Sequence, residues 1–123
     1  MDKSSAWGHD NGIETMIPHL LNFGVIGYPF VLPDMVGGNA FPPGTPDREL
    51  FVRWVELNVF LPSIQYSIAP WDFDAEVLTM TRAMTELHQQ YAAPRIIALA
   101  RTTRPSPALR STDRCGGSRR PTR

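Results

Sequence analysis

The sequence has one cysteine, no long apolar run and no motif typical of a metal or phosphate site. Because Cys115 has no second cysteine to pair with, no intrachain disulfide can form. No window reaches the roughly 20 apolar residues that a membrane-spanning helix needs, and the N-terminus is polar rather than signal-like. The three histidines lack metal-ligand spacing, and no glycine-rich phosphate loop occurs. No metal, no organic cofactor and no membrane segment are therefore predicted.

Charge divides the 123 residues into two unlike parts. Residues 1–100 carry five basic and eleven acidic side chains, a formal charge of −6, and enough large apolar side chains to bury a core. They are predicted to form the folded part of the chain. Residues 101–123 carry seven arginines and one acid, a charge of +6, with almost no apolar side chains, so disorder is predicted. Without interleaved aromatic residues or a folded basic face, this tail predicts no nucleic-acid partner.

Apolar patterning predicts helices that alternate with short strands. Residues 28–32 are aromatic and β-branched between glycine and proline, which is typical of a strand buried on both faces, and residues 63–68 are a second candidate. Helices are predicted at 16–23, after Pro46 to about 61 with Asp47 in the first turn, and to about 91 from a start at Asp72 and Asp74. Pro94 is expected to kink or restart this last helix, and an apolar segment follows it. This alternation predicts an α/β fold with a parallel sheet. Two strands cannot form such a sheet alone, so we expect part of a (β/α)₈ barrel, which needs about 250 residues.

Two carboxylates stand where such a barrel would place chemistry. Asp10 follows Trp7 in a loop, and an acid that a tryptophan shields from water is suited to general-acid catalysis. Asp34 ends the first predicted strand and precedes a pair of glycines. Paired carboxylates are what glycoside hydrolysis requires. The alternative is that Asp10, Asn11 and Asp34 only cap the turns and helices that follow them.

The order of several motifs resembles the late barrel segment of glycoside hydrolase family 31. They are Trp-Gly-x-Asp-Asn at 7–11, Phe-Gly-Val-Ile-Gly-Tyr-Pro-Phe-Val-Leu-Pro-Asp-Met-Val-Gly-Gly at 23–38, Arg-Glu-Leu-Phe-Val-Arg-Trp at 48–54, and Gln-Tyr-Ser-Ile-Ala-Pro-Trp at 65–71. The resemblance covers about residues 2–100 and excludes the tail. It implies a (β/α)₈ barrel, to which this chain would contribute roughly the seventh and eighth strands with their flanking helices.

The resemblance also implies roles for individual residues. The family contains retaining enzymes with an aspartate nucleophile after the fourth strand and an aspartate acid/base after the sixth. Asp10 matches the acid/base, Asp34 matches the sugar-pocket acid that ends the seventh strand, and Trp7 matches an aromatic residue of the pocket wall. His9 stands where many members have glycine, and we assign no effect to it. Carbohydrate is the implied substrate.

Two departures from the family bear on specificity and activity. Where many α-glucosidases have Arg-Asn-His after the eighth strand, this chain has Gln65, Tyr66 and Ser67, which argues against glucoside specificity. The resemblance implies α-galactosides instead. Trp71 is a candidate aromatic platform for the sugar or, equally, a core residue. No residue matches the nucleophile motif. The sequence therefore leaves two hypotheses: a hydrolase of α-linked sugars, or an inactive barrel fragment that binds, regulates or associates through uncovered barrel edges.

Overall fold

The structure is a computed structural model that describes residues 2–28, 30–40 and 45–102. The predicted disorder of the arginine-rich tail concerns residues 101–123, and all but the first two of these lie outside the described ranges. Four α-helices account for a little under half of the described residues: α1, Met16–Val25; α2, Arg48–Asn58; α3, Ala75–Leu87; and α4, Ala93–Thr102. Short 3₁₀ turns precede α1 at Ile13–Thr15 and α3 at Pro70–Asp72.

Aspartates fix the starts of α2 and α3. Asp47 and Asp74 are the N-cap residues, and their carboxylates accept hydrogen bonds of 2.8 Å from the backbone N–H groups of Leu50 and Val77. Each cap satisfies a donor that the first turn of a helix leaves unpaired. Both aspartates were predicted to lie at these helix starts. Asp72, which was also expected to open the second of these helices, lies instead in the preceding 3₁₀ turn.

A π-helical segment, His88–Ala92, joins α3 to α4 without a break. The N–H of Ala93 donates to the carbonyl of His88, a wider turn than that of an α-helix. Pro94 follows at once, so its missing N–H falls next to the turn where the α-helical bonding pattern is already interrupted. The expected kink at Pro94 is thus a local widening of the helix. It also presents His88, whose Nδ1 lies 2.8 Å from the carbonyl oxygen of Val59 at the end of α2.

Neither predicted strand forms among the described residues. The prediction that residues 28–32 are buried on both faces is wrong: Tyr28 and Phe30 are each 60% exposed, and Leu32 is 47% exposed. A buried parallel strand needs hydrogen-bonding neighbours on both edges and helices on both faces. The described residues supply no such neighbours to this run, so its apolar side chains remain in solvent.

Parallel strand pairing among the described residues consists of two isolated bridges, Ser4 with Asn39 and Val36 with Tyr66. They join three stretches of chain side by side in sequence order. The N–H of Asn39 donates to the carbonyl of Lys3 over 2.8 Å, and the N–H of Val36 donates to the carbonyl of Gln65 over 2.7 Å. The turn at residues 36–39 is therefore the middle of the three stretches.

The core forms around α2. Its apolar face packs on residues from α1, from the turn at 36–39 and from α3; the buried apolar side chains are Met16, Val36, Leu50, Phe51, Trp54, Val55, Val59 and Val77. Phe51 lies against the ring of Phe73, with centroids 4.6 Å apart. Glycine is required next to this core, because a Cβ atom at Gly37, whose φ is 89°, would lie 2.9 Å from Pro46.

Candidate functional site

The loop that carries Asp10 is closed by its own backbone. Ser4 N–H donates to Asn11 C=O over 2.9 Å, and Ile13 N–H donates to Ala6 C=O over 2.9 Å. Gly12 permits this closure, because a Cβ atom there would lie 2.5 Å from two carbonyl oxygens of the loop. The residues from Trp7 to Asp10 are therefore held at the tip of a pinned loop.

Asp10 itself is exposed at this tip. Within the described ranges its carboxylate takes part in no hydrogen bond or ion pair, whereas its neighbour His9 lies 2.7 Å from the carboxylate of Glu14. The expected shielding of Asp10 by tryptophan is absent from this arrangement. Sterically, the carboxyl group is free to reach a glycosidic oxygen.

Trp7 ties the loop to α2 instead. Its side chain is 41% exposed, and its Nε1–H donates to a carboxylate oxygen of Asp47 over 3.2 Å. The pKa of Asp47 is held below its ordinary value of 3.8, first by the Leu50 N–H and then by the Trp7 indole. The side chain is thus held to α2 while it remains partly exposed to solvent.

Asp34 is buried and points at the backbone. Its carboxylate accepts hydrogen bonds from the N–H groups of Lys3 and Met35, the latter over 2.7 Å, and its carbonyl accepts from the Asn58 amide over 3.2 Å. Its φ of 156° is one that glycine adopts more readily, so these bonds hold an unusual backbone conformation. Asp34 thus fastens the N-terminal stretch, its own turn and α2 to one another.

Lys3, the single lysine of the chain, is a buried residue that the sequence analysis did not select. Its Nζ lies 2.6 Å from the Thr15 hydroxyl and 2.6 Å from Nδ1 of His19 on α1. Burial lowers the pKa of Lys3, and the charge of Asp34 opposes that shift. A lone lysine two residues from the N-terminus carries no sequence signal of burial, since lysine is seldom buried.

Trp71 lies apart from these residues, in a cleft of about 610 Å³. Its side chain is 71% exposed, so it does not pack in the core, and the alternative of a core role is not realised. The cleft runs between one loop and one face of α3 and is lined by residues 66–71 and by Leu78, Thr81, Arg82, Thr85 and Glu86. Neither Asp10, Trp7 nor Asp34 is part of its lining.

The four predicted site residues therefore fall into two places. The backbone at residues 3 and 4 connects the Asp10 loop to Asp34, through Ser4 to Asn11 and through Lys3 to Asp34, and Trp7 flanks the same loop. Trp71 belongs to the separate cleft. In the described ranges, no group of three or more His, Cys, Asp or Glu side chains is arranged to hold a metal ion. No helix of the described part is long and apolar enough to cross a membrane.

Parallel pairing of three successive stretches, with an exposed acid on the loop after the first, is consistent with the edge of a (β/α)₈ barrel. Comparison with known families settles the class: residues 2–92 match the glycosyl hydrolases family 31 TIM-barrel domain. The chain belongs to this family and represents a segment of its barrel domain. The match covers every predicted site residue.

Two curated relatives refine the comparison. The chain is 44% identical over 108 residues to the myogenesis-regulating glycosidase of Mus musculus. The aligned region covers 81% of this chain and 15% of that protein. It is 34% identical over 99 residues to the SITS-binding protein of Tetronarce californica, covering 80% of this chain and 14% of that protein. The chain therefore spans about one seventh of the length of these relatives.

Proposed function

We propose that the chain contributes the acid/base segment of a glycosidase that hydrolyses O-glycosyl bonds of α-linked sugars. The observation that carries this proposal is the exposed, unpaired carboxyl group of Asp10 on a loop pinned at both ends. Family membership supports the reaction class. The name of the mouse relative, a glycosidase, agrees with it.

In this proposal Asp10 first donates its proton to the oxygen of the leaving group and later takes a proton from the water that completes hydrolysis. A retaining reaction also needs a nucleophilic carboxylate about 5–5.5 Å from the acid. No residue of this chain matches the family's nucleophile motif, so that group would come from another part of the barrel. Trp7 forms part of the pocket wall, and α-galactosides are the proposed substrates.

In this proposal Asp34 supports the pocket by fixing the backbone beside it. Its carboxylate is buried and accepts two backbone hydrogen bonds, so it acts on the sugar through the position of the turn that follows it. We also propose that Ser4, the turn at 36–39 and Tyr66 mark the ends of the sixth, seventh and eighth barrel strands. The two parallel bridges, which connect these stretches in chain order, support this assignment.

A hydrolysis assay that varies the leaving group tests Asp10. Replacement of the homologous segment of the mouse glycosidase by residues 2–92 gives a chimera with a complete barrel, to be assayed beside the chain itself. With methyl α-D-galactoside, whose leaving group needs protonation, we expect Asp10→Asn to lower the rate about 10²–10⁴-fold. With a para-nitrophenyl galactoside, which needs less protonation, the loss should be much smaller. Equal activity of the variant and the parent on both substrates would contradict the assignment.

Sugar binding without hydrolysis is the second candidate function. The observation in its favour is that Asp34, the other carboxylate predicted for the pocket, is buried and already holds two backbone hydrogen bonds. It cannot serve as a second catalytic acid in this arrangement. In one outcome the isolated chain binds a galactoside without releasing product, whereas the chimera hydrolyses it. Binding would then be the activity of the isolated chain.

A further inference from the structure

The cleft beside α3 has two chemically different walls. One wall is the segment at residues 66–71, which ends in the exposed indole of Trp71; the other is the face of α3 that carries Thr81, Arg82 and Glu86. Its volume of about 610 Å³ falls within the range of about 300–1,000 Å³ that small-molecule sites occupy. The cleft is therefore large enough for a sugar ring and part of a substituent.

Two charged groups of this cleft have no partner within the described part of the chain. Arg82 and Glu86, one helical turn apart, form no ion pair, although Arg48 and Arg53 each bind two carboxylates. Both side chains are exposed, so a ligand that bonds to them breaks no internal contact.

The remaining polar groups of the lining are already used. The hydroxyl of Tyr66 lies 3.0 Å from that of Thr85, and Ser67 Oγ donates to the carbonyls of Val36 and Gly38 over 3.1 and 3.0 Å. These bonds fix the loop against α3 and against the turn at 36–39. These contacts hold the walls of the cleft in place. The Thr81 hydroxyl is unpaired but enclosed by protein, so among the charged and hydroxyl side chains of the lining, Arg82 and Glu86 are left to bond a ligand.

The combination of these groups selects the chemistry of the ligand. Arg82 can only donate hydrogen bonds and an ionised Glu86 can only accept them, so a ligand must accept from one and donate to the other. Hydroxyl groups do both. The face of an indole ring carries negative charge density, which favours the weakly positive C–H face of a pyranose. An aromatic anion would satisfy Arg82 but would be repelled by Glu86.

We infer that this cleft is a second carbohydrate-binding site, in which a pyranoside stacks on Trp71 and bonds through its hydroxyls to Arg82 and Glu86. It binds without a chemical step and lies outside the set of residues around Asp10. Binding at this cleft requires no hydrolysis, so it can be tested separately from the acid/base role of Asp10.

Fluorine NMR of fluorotryptophan-labelled protein tests the inference, because the three tryptophans report on three places. Trp71 reports on the cleft, Trp7 on the Asp10 loop and Trp54 on the buried core. The probes are methyl α-D-galactopyranoside and methyl α-D-glucopyranoside, with glycerol at matched concentration as the control. We expect a saturable shift of the Trp71 signal, no shift of the Trp54 signal, and no effect of glycerol.

Matched variants locate the binding groups. Arg82→Gln and Glu86→Gln should each weaken binding about tenfold, since a hydrogen bond to a charged group is lost. Arg95→Gln removes an exposed arginine of α4 outside the cleft and should leave affinity unchanged. An unchanged Trp54 signal in each variant shows that the fold is intact.

Other outcomes overturn the inference and separate it from the proposed function. A shift confined to Trp7 would place the sugar at the Asp10 loop, which supports the proposed function and removes the cleft site. A Trp71 shift with anilinonaphthalene sulfonate but with neither pyranoside would make the cleft a site for apolar anions. Equal weakening by Arg82→Gln and Arg95→Gln would show that only the net charge of the protein matters.

Discussion

α1 and α2 are similar in length but differ in how they are used. α2, with several charged residues, buries five of its eleven side chains, whereas the more apolar α1 buries only Met16 of its ten. The exposed apolar surface continues from Val25, at the end of α1, through Ile26 and Tyr28 to Phe30 and Leu32. Apolar composition therefore did not decide which segment forms the core. The availability of packing partners did.

The partners of α2 come from three sides. Val36 from the central turn, Val77 from α3 and Met16 from α1 all pack in the same cluster. The side-chain amide of Asn58 adds a polar connection to the carbonyl of Asp34. The run at 28–32 has no such set of neighbours in the described ranges. The difference makes α2 the element on which stability should depend most.

Trp54→Ala is the substitution with the largest expected effect on stability. Trp54 is fully buried on α2, and truncation of a buried tryptophan costs about 3–5 kcal/mol because it leaves a cavity. Urea unfolding followed by circular dichroism measures the loss. Trp71→Ala is the matched control, since its side chain is 71% exposed, and should change the free energy of unfolding by less than about 0.5 kcal/mol.

The loss in Trp54→Ala is large compared with the stability of a small domain, so this variant can fail to fold. Trp54→Phe keeps most of the ring and removes an indole N–H that has no acceptor in the described structure. It should therefore cost clearly less than the alanine variant. Equal losses for Trp71→Ala and Trp54→Ala would show that α2 is not the centre of the core.

Asp34→Ala should have the next largest effect, because it removes the connection between the N-terminal stretch and the core. Two backbone donors, those of Lys3 and Met35, lose their acceptor, at a cost of about 1–3 kcal/mol for each one that stays buried and unpaired. Hydrogen exchange should speed up at these two amides before it does so in α3. Asp72→Ala, at an exposed turn, is the control and should be neutral.

Local signals in the sequence predicted the helices well. Acids at helix starts, apolar spacing and prolines were sufficient to place α2 and α3 to within a few residues, because caps and one-sided packing are properties of short segments. The strand at 28–32 failed for the opposite reason: strand formation depends on partners distant in sequence, and composition alone does not supply them. Family membership, by contrast, was correctly predicted from the motifs at 7–11, 23–38, 48–54 and 65–71.

The site could be predicted only in part. Motif matching selected Asp10, Trp7, Asp34 and Trp71, and their functional roles remain predictions. It could not show that the Asp34 carboxylate faces inward, since that depends on a contact with Lys3, 31 positions away. Nor could it select Arg82 and Glu86, which look like ordinary charges on a solvated helix face until the loop at 66–71 is placed opposite them.

Asp47→Asn should change stability little at neutral pH, but it should change how stability falls on acidification. The pKa of Asp47 is lower in the folded protein than its ordinary value of 3.8, so the unfolded chain binds the proton more tightly. The stabilisation from this carboxylate is therefore complete above pH 3.8 and is lost as the pH falls through the lower folded pKa. Asparagine caps a helix about as well as aspartate, so the loss at neutral pH should stay below about 0.5 kcal/mol.

Unfolding measured in urea at a series of pH values from neutral to strongly acidic checks this expectation. The variant should lose less stability on acidification than the parent, because it no longer has a carboxylate at this position to protonate. Trp7→Phe is the matched control: it removes one donor to Asp47 and keeps the Leu50 N–H, so it should flatten the acid dependence by less than Asp47→Asn does. An acid dependence as steep in Asp47→Asn as in the parent would mean that the Leu50 and Trp7 contacts do not act on Asp47.

Phe30→Ser should have the smallest effect on stability. It also tests most directly whether the run at 28–32 lacks the packing partners that α2 has. Phe30 is 60% exposed, so its loss should change the free energy of unfolding by less than about 0.5 kcal/mol, whereas Phe51→Ser at a fully buried site should cost several times more. Sedimentation should also show less self-association, because an exposed apolar patch is made smaller. A loss of stability as large as that of Phe51→Ser would mean that residues 28–32 are packed against other residues in solution. The run would then have packing partners, as α2 has.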